Sequence, residues 1–161
     1  MIGKMRNALM LAALLAAAAQ PVAAQETGAL TSKIELEKSL PAGEGQSARK
    51  TYVTPDVVVP GDRVRVTLIF TNKGSAPAAG VSLVNPIPDG LVYDDTADTA
   101  SFGVSIDGGK NFGALAALTV PVANAAPRPA TVTDVTHVRW LWPDAIAPGQ
   151  SRRVAFFGRV R

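Results

Sequence analysis

Few residues of this chain have the type and spacing that chemistry requires. Asp94, Asp95 and Asp98 fall close together in a stretch rich in small polar residues. Carboxylates so spaced in a loop could offer oxygens to calcium, which takes six to eight such ligands. No EF-hand spacing accompanies them, and a solvated acidic loop accounts for the same residues, so they stand as a weak calcium candidate. The chain has 0 cysteines and 1 histidine, His137. Thiolate nucleophiles, thiolate metal sites and two-histidine metal motifs are therefore excluded. A single histidine could serve a Ser-His-Asp arrangement, but no Gly-x-Ser-x-Gly elbow occurs. Strand alternation also puts His137 on a polar face beside Arg139. We expect no catalytic residues and no cofactor.

Two further groups carry binding chemistry rather than catalysis. Arg139, Arg153, Arg159 and Arg161, with Arg152 beside them, could form a basic stripe for acidic glycans or lipid headgroups, or could guard a strand edge against pairing. Trp140, Trp142, Tyr52 and Tyr93 could stack on sugars if exposed, or fill a core if not. The run Ser105-Ile106-Asp107-Gly108-Gly109-Lys110-Asn111-Phe112 resembles the Asp-box hairpin that recurs in sialidase propellers. That motif is a turn device in which the aspartate binds loop amides, and a propeller needs several copies in a much longer chain. Its presence here implies a tight hairpin, not glycan hydrolysis.

The first residues bear on where the protein acts. Lys4 and Arg6 precede an apolar run from Ala8 to Ala19, and Val22-Ala23-Ala24 supplies small residues ahead of Gln25. This is the pattern of a cleavable signal peptide over residues 1–24, with an apolar run too short to span a bilayer stably. Residues 25–32 read as a flexible lead-in and 33–161 as one domain. Loss of Lys4 and Arg6 takes the formal charge from +3 to +1, which leaves no electrostatic case for nucleic acid. No other segment is apolar enough to span a membrane. With no cysteine to lipidate or to cross-link, an exported chain must rely on packing alone. The expected location is periplasmic or extracellular.

The elements that must position these residues read as short strands. SKIELEKS alternates, with Ile34 and Leu36 on one face and Lys33, Glu35 and Glu37 on the other. Arg49 to Thr54 is a second candidate, stopped by Pro55. In DRVRVTLIFTN, Val64, Val66, Leu68 and Phe70 alternate with Arg63, Arg65, Thr67 and Ile69; Pro60-Gly61-Asp62 turns the chain in and Asn72-Lys73-Gly74 turns it out. Val81 to Asn85 and the segment starting Leu91-Val92-Tyr93 follow. Phe102, Val104 and Ile106 alternate within Ser101–Asp107. The Ala/Pro-rich stretch from Ala114 to Pro129 reads as a loop over one end, with Leu115 and Leu118 available to the core. Val138, Trp140 and Trp142 share one strand face, and Val154, Phe156 and Val160 share the inner face of the last strand. Turn signals every 8 to 12 residues predict an all-β chain, an antiparallel immunoglobulin-like sandwich of about seven or eight strands.

The landmarks Pro60-Gly61-Asp62, Thr71-Asn72-Lys73-Gly74-Ser75, Asn85-Pro86-Ile87-Pro88-Asp89-Gly90-Leu91-Val92-Tyr93 and Pro148-Gly149-Gln150-Ser151 occur in an order that resembles the bacterial conserved-repeat domain, numbered eleven among domains of unknown function. The resemblance covers roughly Lys50 to Arg161. It implies an immunoglobulin-like module of exported and surface proteins, usually in tandem copies and without catalytic residues; this chain carries one copy and no recognisable surface anchor. The expected function is that of an exported, non-enzymatic module whose partner is an envelope protein or a glycan. Two alternatives are a carbohydrate-binding module and a subunit that donates its first or last strand to a neighbouring sheet.

Overall fold

Alternation governs the two ten-residue strands. In β3 (Arg63–Asn72) Val64, Val66 and Leu68 are buried, and in β10 (Ser151–Val160) Val154 and Phe156 are buried opposite them. The computed structural model that shows this describes residues 28–40 and 49–161. The expected signal peptide, residues 25–27 of the lead-in and the loop after Leu40 lie outside the described residues. The other strands are β1 (Gly28–Leu40), β2 (Arg49–Val53), β4 (Val81–Pro86), β5 (Leu91–Thr96), β6 (Phe102–Ser105), β7 (Thr119–Val122), β8 (Ala125–Pro129) and β9 (His137–Trp142). Two single 3₁₀ turns, Leu115–Ala117 and Val132–Asp134, flank the β7–β8 hairpin. Among the described residues no helix is long and apolar enough to cross a membrane.

The chain is all-β, with every pairing between named strands antiparallel. A five-stranded sheet in the order β2-β1-β3-β10-β5 faces a three-stranded sheet in the order β4-β9-β6. Between them lie Val66, Leu68, Leu83, Tyr93, Val104, Val138, Trp140, Trp142, Val154 and Phe156, drawn from both sheets. Trp140 is fully buried, and its indole nitrogen donates to the Asp98 carbonyl at 2.8 Å, so the one polar atom of the largest core side chain is satisfied.

The coarser expectation, an antiparallel all-β sandwich, is met, while the order of strands differs from that of a constant-type immunoglobulin domain. In a constant-type immunoglobulin sandwich the last two strands lie side by side in one sheet. Here β9 and β10 lie in opposite sheets, β9 between β4 and β6 and β10 between β5 and β3. The chain switches sheets at each step from β3 to β6, turns round at the β7–β8 hairpin, and returns through the middle of both sheets. This is jelly-roll winding. Among the described residues the strands number ten, because the Ala/Pro-rich segment pairs as β7–β8, with Leu115 and Leu118 packed against the core. The start of β1 also differs from expectation: Gly28 pairs with Asn72 and Leu30 with Phe70, so residues 28–32 are strand and not lead-in.

The turn landmarks sit at the two ends of the β3–β10 ladder. At one end Gly61 donates to the Val160 carbonyl (2.8 Å), Val160 donates to Asp62 (2.9 Å), and Arg161 donates to Gly90 (2.9 Å). At the other, Asn72 donates to Gln150 (2.9 Å) and accepts from Gly149 (2.8 Å). Gly149 has φ of 77°, a backbone that side chains disfavour and that lets the chain reverse into β10. These residues clamp the two ends of the ladder.

Candidate interaction surfaces

The outer face of the five-stranded sheet carries a layer of paired charges. Cross-strand neighbours in an antiparallel sheet share a face, which brings Glu35 opposite Arg65 and Glu37 opposite Tyr52. The Glu37 carboxylate accepts from Lys50 on β2 (2.9 Å), Arg63 on β3 (2.7 Å) and the Tyr52 hydroxyl (3.2 Å). Arg63 also donates through Nε to Asp94 of β5, and Asp94 accepts from Arg159 of β10 at 3.1 Å. One chain of ion pairs thus touches all five strands. Glu35 lies between Lys33 (2.7 Å) and Arg65 (2.7 Å). The guanidiniums of Arg65 and Arg63 lie over the rings of Tyr52 (3.6 Å) and Phe157 (3.9 Å).

These neighbours set the acidity of the carboxyls. The Lys33 and Arg65 hydrogen bonds hold Glu35 below the usual glutamate range. Burial pushes Glu37 and Asp94 the other way, but hydrogen bonds from Lys50 and Arg63 to Glu37, and from Arg63 to Asp94, outweigh it, and both end lowered. The layer is a preformed salt lattice. It spans an open depression of the sheet, lined by Tyr52, Thr67, Ile69, Asp98, Arg153 and Ala155 among others.

The calcium candidates do not form a site. Asp94 has both oxygens engaged by Arg63 and Arg159, Asp95 accepts from the Thr96 amide (2.7 Å), and Asp98 accepts from the Ala155 amide (2.7 Å). Among the described residues no group of three or more carboxylate or histidine side chains could hold a metal ion. The reason is that each carboxylate is taken up by partners of its own, Asp94 by two arginines and the other two by backbone amides, and β5 is bulged here, with Asp95 opposite Phe157 and Tyr93 opposite Gly158.

The arginine stripe is likewise dispersed. Arg139 is on β9 in the other sheet, its guanidinium 4.4 Å from the centre of the Phe112 ring. Arg159 is tied to Asp94, Arg153 stands exposed opposite Ile69, and the Arg161 amide follows β10 onto Gly90. Since β10 is central in its sheet, its arginines guard no edge.

Ser105, Asp107 and His137 do meet in one corner, with Ser105 paired opposite His137. Their wiring is that of a turn. The fully buried Ser105 hydroxyl donates to Asp107 (2.7 Å) and accepts from the Gly109 amide (2.9 Å), while His137 Nδ1 lies 3.1 Å from the Thr136 hydroxyl. Asp107 accepts from the amides of Asn111 (3.0 Å) and Lys110 (3.1 Å). The Asn111 amide, with Ser105 and the Asn111 side chain, holds its carboxyl well below the ordinary range. His137 makes no hydrogen bond to Ser105 or Asp107. The rings nominated for sugar stacking are withdrawn as well: Trp140, Trp142 and Tyr93 are buried and Tyr52 lies under Arg65.

A second surface was not apparent from pattern alone. The five-stranded sheet has more strands than its partner, and on its core-side face the side chains of β1 and β2 around buried Leu36 stand exposed. Ile34 pairs opposite buried Val66, so it points to the core side, yet it is 44% exposed; Leu30 on the same side is 50% exposed. Val53 and Leu40 extend this apolar face, and Val57, Val58 and Val59 stand exposed in the segment that follows β2. In the sequence the only signal for it was the alternation that assigned Ile34 to the core.

No family model matches the chain, and no curated protein or solved structure matches it either.

Proposed function

We propose that the chain is an exported, non-enzymatic β-sandwich module of the bacterial cell envelope, of the conserved-repeat kind, that works by holding a partner protein. The observation that carries this reading is the uncovered core-side face of β1 and β2, with Leu30, Ile34, Leu40 and Val53 exposed. Several exposed apolar side chains on one face of an otherwise well-packed chain mark a place where another molecule sits. The signal-peptide pattern of residues 1–24 supports export, and the ordered turn landmarks support the family assignment. The salt lattice on the opposite face stiffens the five-stranded sheet that presents this surface.

The test has two parts in the producing cell. The mass of the recovered protein should correspond to a chain starting at Gln25, found in the envelope or medium. A photo-reactive residue at Ile34 should cross-link to a discrete species, and one at exposed Asn111, on the distant hairpin, should not. An uncleaved chain retained in the cytoplasm, or equal labelling from both sites, overturns the reading.

A further inference from the structure

The uncovered face adjoins an open strand edge. β1 runs from Gly28 to Leu40, but β2 pairs with it only over Leu36–Leu40. Pro55, two residues past Val53, has no amide hydrogen with which to extend that ladder. On its other side β1 is paired with β3 from Gly28 to Leu36. Among the described residues nothing pairs with the free side of Gly28–Glu35. An unpaired strand edge of this length is a template for another strand.

We propose that this edge is filled by the same edge of a second copy, antiparallel about a two-fold axis at Ser32, joining two five-stranded sheets into one. The inference rests on the interaction role argued above and names its partner. Register follows from the faces. Residues directly opposite across an antiparallel pair share a face, so the axis must pass through a residue and not between two, or apolar side chains would meet charged ones. An axis at Lys33 sets two lysines opposite each other. An axis at Ile34 leaves only Lys33 to Glu35 to pair, because β2 occupies the edge from Leu36 onward. An axis at Thr31 sets Leu30 against Ser32.

With Ser32 on the axis, Leu30 of each copy lies opposite Ile34 of the other, and Ala29 to Glu35 pair throughout. Leu30 and Ile34, both exposed in the single copy, then cover each other twice. On the outer face Lys33 is already paired with Glu35 at 2.7 Å, so the edges approach without an unbalanced charge. A closed two-fold contact of this kind also blocks open-ended strand addition at this edge.

The absence of cysteine makes a direct test available. Opposite residues of an antiparallel pair have Cα atoms about 4.5–5.5 Å apart, within disulfide range. Under mild oxidation the exported chain carrying Ser32→Cys should become a covalent dimer. Ser82→Cys, exposed on edge strand β4 of the other sheet, and Lys33→Cys should cross-link about ten-fold less or weaker still. In sedimentation the unmodified chain should be dimeric, and Ile34→Lys, at a site exposed in the single copy, should raise the dimer dissociation constant about ten-fold or more while its circular dichroism stays unchanged. A monomer at hundreds of micromolar, or a dimer that cross-links through Ser82→Cys and not Ser32→Cys, overturns the proposal. A monomer whose Ile34 site labels a different envelope protein overturns self-pairing while leaving the interaction role standing.

Discussion

The Gly149 amide donates to the Asn72 carbonyl at 2.8 Å, joining the turn that ends β3 to the turn that starts β10. The Asn72 side chain is buried between them. Its amide nitrogen donates to the carbonyls of Ala76 (2.8 Å) and Ile146 (2.8 Å), and its oxygen accepts from Gly74 (2.9 Å). Two segments far apart in the chain are therefore held by one side chain.

Replacing that side chain should be costly. Asn72→Ala removes three hydrogen bonds, but the Ile146 carbonyl keeps its bond from the Ala78 amide and Ala76 is exposed to water, so the expected loss is about 1–3 kcal/mol in denaturant unfolding. Asn72→Asp keeps the acceptor but loses both donated bonds, so it should fall nearly as far. A loss under about 0.5 kcal/mol for both variants would show that the turns hold without this link.

Trp140 and Trp142 should report the core. Both are buried, and Trp140 lies 5.1 Å centroid to centroid from Phe102 and 6.5 Å from Phe156. Emission should be blue-shifted and poorly quenched by acrylamide, and no oligosaccharide should move it. Trp140→Ala should cost about 3–5 kcal/mol through the cavity it leaves. Red-shifted emission that a glycan quenches would return the aromatics to a binding role.

Much of the fold was legible because it rests on local chemistry. Val64, Val66 and Leu68 alternate strictly, and Pro60-Gly61-Asp62 and Pro148-Gly149 are turn chemistry readable in any context. Strand order was not legible, since alternation says which side chains face inward but not which strands are neighbours. β7 and β8 were hidden by Pro121, Pro127 and Pro129, which a solvated two-stranded hairpin with a register shift tolerates and a central strand does not. The salt lattice was half visible: Glu35 and Glu37 alternate, as do Arg63 and Arg65, but that the two pairs meet follows only from the β1–β3 register. The aspartates misled because closeness in sequence does not show what each carboxylate bonds: Asp94 is taken by Arg63 and Arg159, and Asp98 by the Ala155 amide.

Gly28 escaped notice because glycine reads as lead-in, yet it packs against the Phe70 ring. A Cβ on Gly28 would come within 2.4 Å of the Phe70 ring, which itself lies 6.4 Å from Trp142. Gly28→Val should displace Phe70 and cost about 1–3 kcal/mol. Phe70→Leu in the same chain should recover part of that loss, which a defect confined to the terminal backbone would not allow. Absence of rescue in the double variant would place the strain elsewhere.

The salt lattice gives stability a defined pH dependence. Glu35, Glu37 and Asp94 are all lowered in the folded chain, against ordinary values of 4.5 for the glutamates and 3.8 for the aspartate. The unfolded chain therefore binds more protons as pH falls through this range. The contribution of these groups is present in full above about pH 5 and is lost as pH drops below 4.5 and on through the folded values. The melting temperature should be flat from pH 7 to about 5 and then decline steeply. Glu37→Gln should lower it at pH 7 and make the acid decline shallower, because the variant has already lost that carboxylate's share. At the alkaline end the sign reverses: burial, with Asp95 and Asp94 nearby, pushes the Tyr93 phenol up to about 12 from 10.0, so its contribution holds below 10 and is lost as pH rises towards 12. Calorimetry from pH 2 to 12 on the parent, Glu37→Gln and Tyr93→Phe separates the two limbs. An acid limb identical in parent and Glu37→Gln would mean that the carboxylate at the centre of the lattice is not what acid removes.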